Sequence, residues 1–174
     1  MKNETPVRQK ILIVDDEPAN IKVLGEMLMY NYQISIAGSG PEAIQLARSN
    51  LPDLILLDIV MPDIDGYAVC KQLKEEESTS KIPVIFITAK NAEEDEKKGF
   101  DLGAVDYITK PFSLSVVQAR VKTHLELKRH RDFLEWLLKE RTNELEDTRR
   151  EYMHLFLRGS TLEDMDKDDS RKGQ

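Results

Sequence analysis

Short aliphatic runs separated by amphipathic stretches are the feature that most limits how this sequence can fold. The runs Ile11–Val14, Leu54–Leu57 and Val84–Thr88 are almost continuously apolar, which is typical of strands buried on both faces of a parallel sheet. Weaker runs at 32–37 and 105–108 add two strands. Stretches with helical spacing follow the strands, at 18–29, 42–48, 66–76 and 92–102. This alternation predicts an α/β fold, a five-stranded parallel sheet with helices on both faces.

A long stretch without helix breakers follows the alternating region. Residues 114–158 contain neither proline nor glycine, and we predict one helix of about 67 Å at 1.5 Å per residue. A heptad frame along this helix has nine seam positions: the apolar residues Leu127, Leu134, Leu138, Leu145, Tyr152 and Leu155, and the polar residues Arg131, Arg141 and Thr148. This frame predicts a coiled coil, and hence a homodimer, with the relative direction of the two helices left open.

These patterns divide the chain into four segments. We predict an N-terminal tail at 1–8, one folded domain at 9–128, and a coiled-coil extension at 129–158 that continues the last helix of the domain. Gly159 is a typical helix stop. The polar residues 159–174 are expected to form a disordered tail.

Charge and cysteine content argue against several classes of protein. Residues 1–112 hold 12 Lys/Arg and 19 Asp/Glu, so the whole net charge of −7 resides there, and such an acidic surface disfavours nucleic-acid binding. No apolar run approaches the roughly 20 residues of a transmembrane helix, so we expect no membrane insertion. The single cysteine, Cys70, fits a reducing compartment, the cytoplasm, and is interpreted as a packing residue. His124, His130 and His154 are interpreted as ordinary histidines of a helix surface.

Polar side chains end four of the predicted strands. Asp15 and Asp16 follow the first strand, Asp58 the third, Thr88 lies on the fourth, and Lys110 follows the fifth. Because ligands of parallel α/β sheets bind at the carboxyl ends of the strands, we expect these side chains to converge. Crowded carboxylates repel one another unless a cation is bound, and Mg²⁺ prefers oxygen ligands. With a lysine and a hydroxyl beside the metal, the set suits a phosphoryl group.

Four motifs resemble those of one known family. ILIVDDEP, LILLDIVMPDIDGY, IPVIFITA and DYITKPF, in this order over roughly residues 8–128, are similar to the response-regulator receiver domain of two-component signalling. The resemblance implies a flavodoxin-like fold with strand order 2-1-3-4-5. It also implies that a sensor histidine kinase or a phosphotransfer protein phosphorylates the chain. We expect no enzymatic activity beyond its own phosphorylation and dephosphorylation.

The resemblance assigns the phosphoacceptor and the metal ligands. Asp58 is then the residue that takes the phosphoryl group in a Mg²⁺-dependent reaction, with Mn²⁺ as a substitute ion. Asp15, Asp16, Asp58 and the backbone carbonyl of Val60 are the implied ligands of the metal.

The resemblance also assigns the residues around the phosphoryl group. Lys110 and Thr88 would bind its oxygens, and the Lys110–Pro111 bond is expected to be cis. Thr88 and Tyr107 would form a switch, in which Tyr107 turns from exposed to buried. Val60 and Lys90 flank the site and would tune hydrolysis of the acyl phosphate.

The output of such a module is left open by the sequence. Phosphorylation could switch a dimer interface through Thr88 and Tyr107. Alternatively, the segment 140–145 resembles linkers that precede output domains, and the chain would then be the receiver and linker of a longer regulator whose cyclic-dinucleotide phosphodiesterase or phosphatase domain is missing. A third hypothesis, a scaffold that no longer signals, conflicts with the intact acidic set and Lys110. A phosphatase of the haloacid-dehalogenase type would need an acid where this chain has Val60.

Overall fold

Five parallel strands build one sheet at the centre of the fold. They are β1 (Lys10–Val14), β2 (Gln33–Ala37), β3 (Leu54–Asp58), β4 (Val84–Ala89) and β5 (Asp106–Lys110). Their order is β2-β1-β3-β4-β5, and every neighbouring pair runs parallel. The α/β, flavodoxin-like fold and its strand order are therefore confirmed.

Four helices accompany the strands in the part of the chain that the structure describes. The structure is a computed structural model that describes residues 8–89 and 99–169, with side chains as far as Phe156. The helices are α1 (Pro18–Leu28), α2 (Gly40–Asn50), α3 (Gly66–Glu75) and α4 (Leu114–Asp169). The helix predicted at 92–102 lies mostly outside the described residues, of which 99–101 are helical.

Side chains that cap the helices explain where two of them begin. The Ser39 hydroxyl accepts a hydrogen bond from the Glu42 backbone N–H at the start of α2, and the Asp65 carboxylate accepts one from the Ala68 N–H at the start of α3. Such caps satisfy backbone donors that have no partner inside the helix. Pro18 occupies the first turn of α1, as the sequence predicts.

Alternate residues of the strands fill two apolar layers, one on each face of the sheet. Leu12, Ile55 and Phe86 pack on the face covered by α2 and α3, in a layer that includes Tyr67, Val69, Cys70 and Tyr107. Ile13, Leu56 and Ile85 pack on the other face, against Leu24 of α1 and Val117, Val121 and Leu125 of α4. Burial on both faces explains why the strands are aliphatic throughout.

The chain divides into two compact units, Met1–Arg129 and His130–Gln174. The first unit contains the sheet, and the described part of the second is helical as far as Asp169. The helix therefore does not stop at Gly159, where the sequence predicts its end and the start of a disordered tail. A glycine inside a helix costs only about 1 kcal/mol relative to alanine, and no proline follows to enforce a stop.

A candidate phosphoacceptor site at the carboxyl edge of the sheet

Strand register brings the acidic residues together. Val14 of β1 pairs with Leu57 of β3, so Asp15 and Asp58, each one residue further along, lie beside each other at the carboxyl edge of the sheet. Carboxylate oxygens of Asp15, Asp16 and Asp58 all lie within 4.8 Å of one another. Asp15 and Asp58 are buried, whereas Asp16 is exposed. The predicted convergence of the three acids is therefore observed.

Asp15 is held in place by the first turn of α1. Its Oδ1 accepts hydrogen bonds from the Glu17 backbone N–H at 2.9 Å and from the Asn20 side-chain amide at 3.0 Å. Its Oδ2 is fully buried and accepts no hydrogen bond. Sequence reasoning did not identify Asn20, which positions the carboxylate from five residues further along the chain.

Lys110 reaches both buried carboxylates from β5. Its Nζ donates a hydrogen bond to Oδ2 of Asp58 at 3.0 Å, and it lies 3.1 Å from Oδ2 of Asp15. The second contact is an ion pair without hydrogen-bond geometry, which is why Oδ2 of Asp15 still lacks a donor. The Lys110–Pro111 bond is cis, as the resemblance implies.

The environment of the site shifts two pKa values. Burial raises the pKa of the Asp58 carboxyl and the charge of Asp15 raises it further, and together they outweigh the hydrogen bonds from Lys110 and from the backbone of Val60. Burial alone would lower the pKa of Lys110, but its close contacts with the two negatively charged carboxylates raise that pKa above its usual value. The site therefore resists holding its negative charges without a cation.

The donor set fits a hard divalent cation such as Mg²⁺. Three carboxylates from two strand ends offer oxygen ligands at short separation, and such ligands are those Mg²⁺ prefers. The Oδ2 atom of Asp15 is buried and has no hydrogen-bond donor. A bound cation would offset the unfavourable free energy of burying this charged oxygen.

Thr88 and Tyr107 both lie inside the domain. Thr88 is 7% exposed, and its hydroxyl donates to the backbone oxygen of Ala89 at 3.1 Å. Tyr107 is 5% exposed, with its ring 5.7 Å from that of Phe86 and 5.1 Å from that of Phe100. The structure thus holds Tyr107 in the buried position.

Gly99 makes room for that tyrosine, a role that sequence reasoning missed. A Cβ at residue 99 would lie 1.8 Å from the Tyr107 hydroxyl and 2.8 Å from the Phe86 ring. No real side chain tolerates such distances, so the buried ring requires glycine here. The contact joins residues eight apart in sequence, and no local pattern signals it.

The loop after β3 carries two further residues of interest. Val60 is 75% exposed, and its backbone amide lowers the pKa of the Asp58 carboxyl. A Cβ at Gly66, where α3 begins, would lie 2.2 Å from the backbone oxygen of Asp58, so only glycine fits. Lys90, expected to flank the site, lies outside the described residues.

A second polar cluster joins β5 to the last helix. The Asp106 carboxylate is bonded by the guanidinium of Arg120, by the His124 ring at 3.0 Å and by the Tyr107 backbone N–H at 2.8 Å. The His124 side chain is only 14% exposed, so its interpretation as an ordinary surface residue is corrected. Its partner lies 18 residues earlier in the sequence, and only the fold brings the two together.

The predicted seam residues of the second unit are exposed. The exposed fraction is between 56% and 71% for Leu134, Leu138, Leu145, Tyr152 and Leu155, and it is 57% for Leu127 at the end of the first unit.

Among the described residues, no helix combines the length and apolar character needed to cross a bilayer.

Comparison with known proteins identifies the family. The protein-family model described as "Response regulator receiver domain" matches residues 11–122 of the sequence. The chain belongs to this family. A solved two-component response regulator from Clostridium difficile is 32% identical, with a TM-score of 0.64 over 68% of this chain and 97% of that one.

Two curated relatives of this receiver are much longer than the chain itself. The "Probable cyclic di-GMP phosphodiesterase" of Vibrio cholerae serotype O1 is 49% identical over 124 residues, which are 71% of this chain and 28% of the relative. The response regulator PleD of Caulobacter vibrioides is 42% identical over 120 residues, or 68% of this chain and 26% of the relative. The chain thus spans less than a third of the length of these relatives.

Proposed function

We propose that this receiver is a phosphoacceptor that takes a phosphoryl group on Asp58 from a sensor histidine kinase or a phosphotransfer protein. The observation that carries the proposal is the contact of one ammonium group, that of Lys110, with the carboxylates of Asp58 and Asp15 at 3.0 and 3.1 Å. A cation fixed beside a candidate nucleophile, at an edge where other acids can hold a metal, suits transfer of a phosphoryl group.

The chemistry at Asp58 is a nucleophilic displacement. A carboxylate oxygen attacks the phosphorus of a phosphohistidine, the P–N bond breaks, and the leaving imidazole retains its electron pair and takes up a proton. An acyl phosphate forms on Asp58. Lys110 neutralises the phosphoryl oxygens, and the Thr88 hydroxyl donates to one of them.

Asp15, Asp16, Asp58 and the Val60 carbonyl would hold the metal. Bound Mg²⁺, or Mn²⁺ in its place, would supply positive charge to the phosphoryl oxygens. Asn20 keeps the Asp15 carboxylate oriented, and Lys110 stays available for the phosphoryl group as it leaves its ion pair with Asp15.

The phosphorylated state would be transmitted through Thr88 and Tyr107. The added charge of about −1.5 to −2 draws the Thr88 hydroxyl toward the phosphoryl group and favours the buried tyrosine. Val60, and Lys90 through its place directly after Ala89 in the sequence, would tune hydrolysis of the acyl phosphate.

The helical extension is the route to an output. We propose a homodimer through the seam of Leu127, Leu134, Leu138, Leu145, Tyr152 and Leu155, whose exposure leaves that face available. A second candidate function is that of receiver and linker for a cyclic-dinucleotide phosphodiesterase or another output domain. It is favoured by the V. cholerae relative, which bears the name of such an enzyme and of which this chain matches 28%.

Labelling with acetyl phosphate tests the phosphoacceptor. We expect Asp58→Asn to abolish Mg²⁺-dependent labelling, because an amide cannot form the acyl phosphate. Asp63→Asn is the matched control, since Asp63 is an acid of the same loop outside the carboxylate cluster. Undiminished labelling of Asp58→Asn, or an equal loss in Asp63→Asn, contradicts the assignment.

A further inference from the structure

The helix of the second unit has an apolar face that its own unit leaves uncovered. Eight of the nine seam positions lie in this unit: Arg131, Leu134, Leu138, Arg141, Leu145, Thr148, Tyr152 and Leu155. The apolar members are 56–71% exposed, and none belongs to either apolar layer of the described residues. Large apolar side chains at alternating spacings of four and three mark a face that packs on another helix.

We propose that a second copy of this chain covers the seam as a parallel, in-register helix, with Glu144 of each chain against Arg149 of the other. This inference rests on the homodimer proposed above and adds its direction and register. In the heptad frame, Glu144 directly precedes the seam residue Leu145, and Arg149 directly follows Thr148. Residues at these two flanking positions, five apart, meet across a parallel pair.

The seam itself distinguishes the two directions. In a parallel pair, each residue faces its own copy, so Leu138 faces Leu138 and Leu145 faces Leu145. The seam residues alternate between two positions of the heptad. In an antiparallel pair, Leu138 and Leu145 face residues of the other position, to which Arg141 and Thr148 belong. Every antiparallel alignment that overlaps most of the seam therefore places Leu138 or Leu145 against one of those polar residues. In a parallel pair, each apolar residue of the seam packs against an apolar residue of the other chain.

The charges beside the seam support the same direction. Antiparallel helices bring together residues that occupy the same flanking position of the heptad. This would place Glu144 near Glu144 or Glu151 of the other chain. Parallel pairing instead creates two Glu144–Arg149 contacts related by the twofold axis. The surface of one chain is thus complementary to itself.

The Glu144–Arg149 contact sets the register. A shift by one heptad would place Glu144 against Thr142 or Phe156 of the other chain, neither of which carries a positive charge. In register, Arg141 faces its own copy in the seam, and each of these arginines keeps its bond to Glu144 of the same helix at 2.8 Å. A polar layer of this kind weakens a coiled coil but specifies its register.

Cysteine crosslinking in the full chain tests the arrangement. Native Cys70 is buried, and burial raises the pKa of its thiol to about 11. Because little of this thiol is ionised, the chain without an added cysteine serves as the negative control. We expect Leu145→Cys to give mostly covalent dimer on mild oxidation. Asn143→Cys, which points away from the seam, should give close to none.

Two neighbouring arginines give an independent test without a cysteine. Arg149→Glu should raise the dimer dissociation constant about fivefold or more in sedimentation, because it creates two Glu–Glu contacts. Arg150→Glu is the matched control, since Arg150 lies on the outer face beside Asp147 of its own helix; its effect should be less than about twofold.

The outcomes separate this inference from the dimer on which it rests. A monomer at all concentrations overturns both. A dimer in which Leu145→Cys crosslinks no better than Asn143→Cys, or in which the two arginine variants behave alike, overturns the parallel register and leaves the dimer standing.

Discussion

The two units of the chain treat their large apolar side chains in opposite ways. In Met1–Arg129, all four residues of Leu54–Leu57 are 0% exposed. In His130–Gln174, the equally large Leu138, Leu145 and Tyr152 are 69–71% exposed. Packing of an apolar face supplies most of the stability of helices in proteins. The first unit therefore carries its own source of stability, whereas the described apolar residues of the second stay largely exposed in a single chain.

A matched pair of leucines gives the largest test of this contrast. Leu56→Ala, in the layer that faces α1 and α4, should lower the free energy of unfolding by about 2–5 kcal/mol through lost burial and a cavity. Leu138→Ala should leave the unfolding of the first unit unchanged and weaken only the dimer. Urea unfolding followed by circular dichroism measures the first effect, and sedimentation the second. A loss above about 1 kcal/mol for Leu138→Ala in a monomeric sample would show that one chain already covers this leucine.

Gly99→Ala tests how tightly the first unit is packed around Tyr107. The new methyl group would overlap the Tyr107 hydroxyl, so the ring must leave its position between Phe86 and Phe100. We expect a loss of about 1–3 kcal/mol and greater quenching of tyrosine fluorescence by acrylamide. Gly99→Ala/Tyr107→Phe, which removes the overlapping hydroxyl, should recover part of the stability. No coupling between the two changes would contradict the contact.

Magnesium should stabilise only the unit that holds the carboxylates. At a tenfold excess over its dissociation constant, a ligand that binds only the folded state adds about 1.4 kcal/mol, which raises Tm by about 3–11 °C. Asp16→Asn should lose most of this rise, while Asp63→Asn keeps it. Differential scanning calorimetry measures both. An equal rise in wild type and Asp16→Asn would place the cation elsewhere.

Two small substitutions should change stability in opposite directions. Asp65→Ala removes the side-chain cap of α3 and should lower the free energy of unfolding by about 1 kcal/mol.

Thr142→Ala, in the exposed middle of α4, removes only a hydroxyl bonded to the Leu138 backbone oxygen. It should raise the helix content of the second unit slightly, because alanine favours helix over threonine by roughly 0.5 kcal/mol. A destabilising Thr142→Ala would indicate a contact of that hydroxyl beyond its own helix.

The strands and the acidic cluster could be predicted from the sequence because their signals are local. A continuous aliphatic run indicates a strand buried on both faces, and the residue that ends it lies at the carboxyl edge. Register then brings Asp15 and Asp58 together without further information. The cis bond before Pro111 was predicted from the resemblance of the motif alone.

Other features depend on approaches between distant segments, which no local pattern records. The place of Gly99 follows from the position of Tyr107, and the bonding of His124 follows from the position of Asp106. The end of α4 differs from the predicted one for another reason. Gly159 disfavours helix by about 1 kcal/mol, which is too little to end a helix by itself.

Gly66 is required by the fold of the receiver and takes no part in the chemistry proposed for Asp58. A receiver that loses the acid at position 58 can still fold, since an amide or an alanine fits the same space. One that gains a side chain at position 66 must displace the backbone of the third strand. Receivers of this fold should therefore keep this glycine even where the acids at the carboxyl edge have been replaced, because the glycine serves the path of the backbone and not the chemistry of the site.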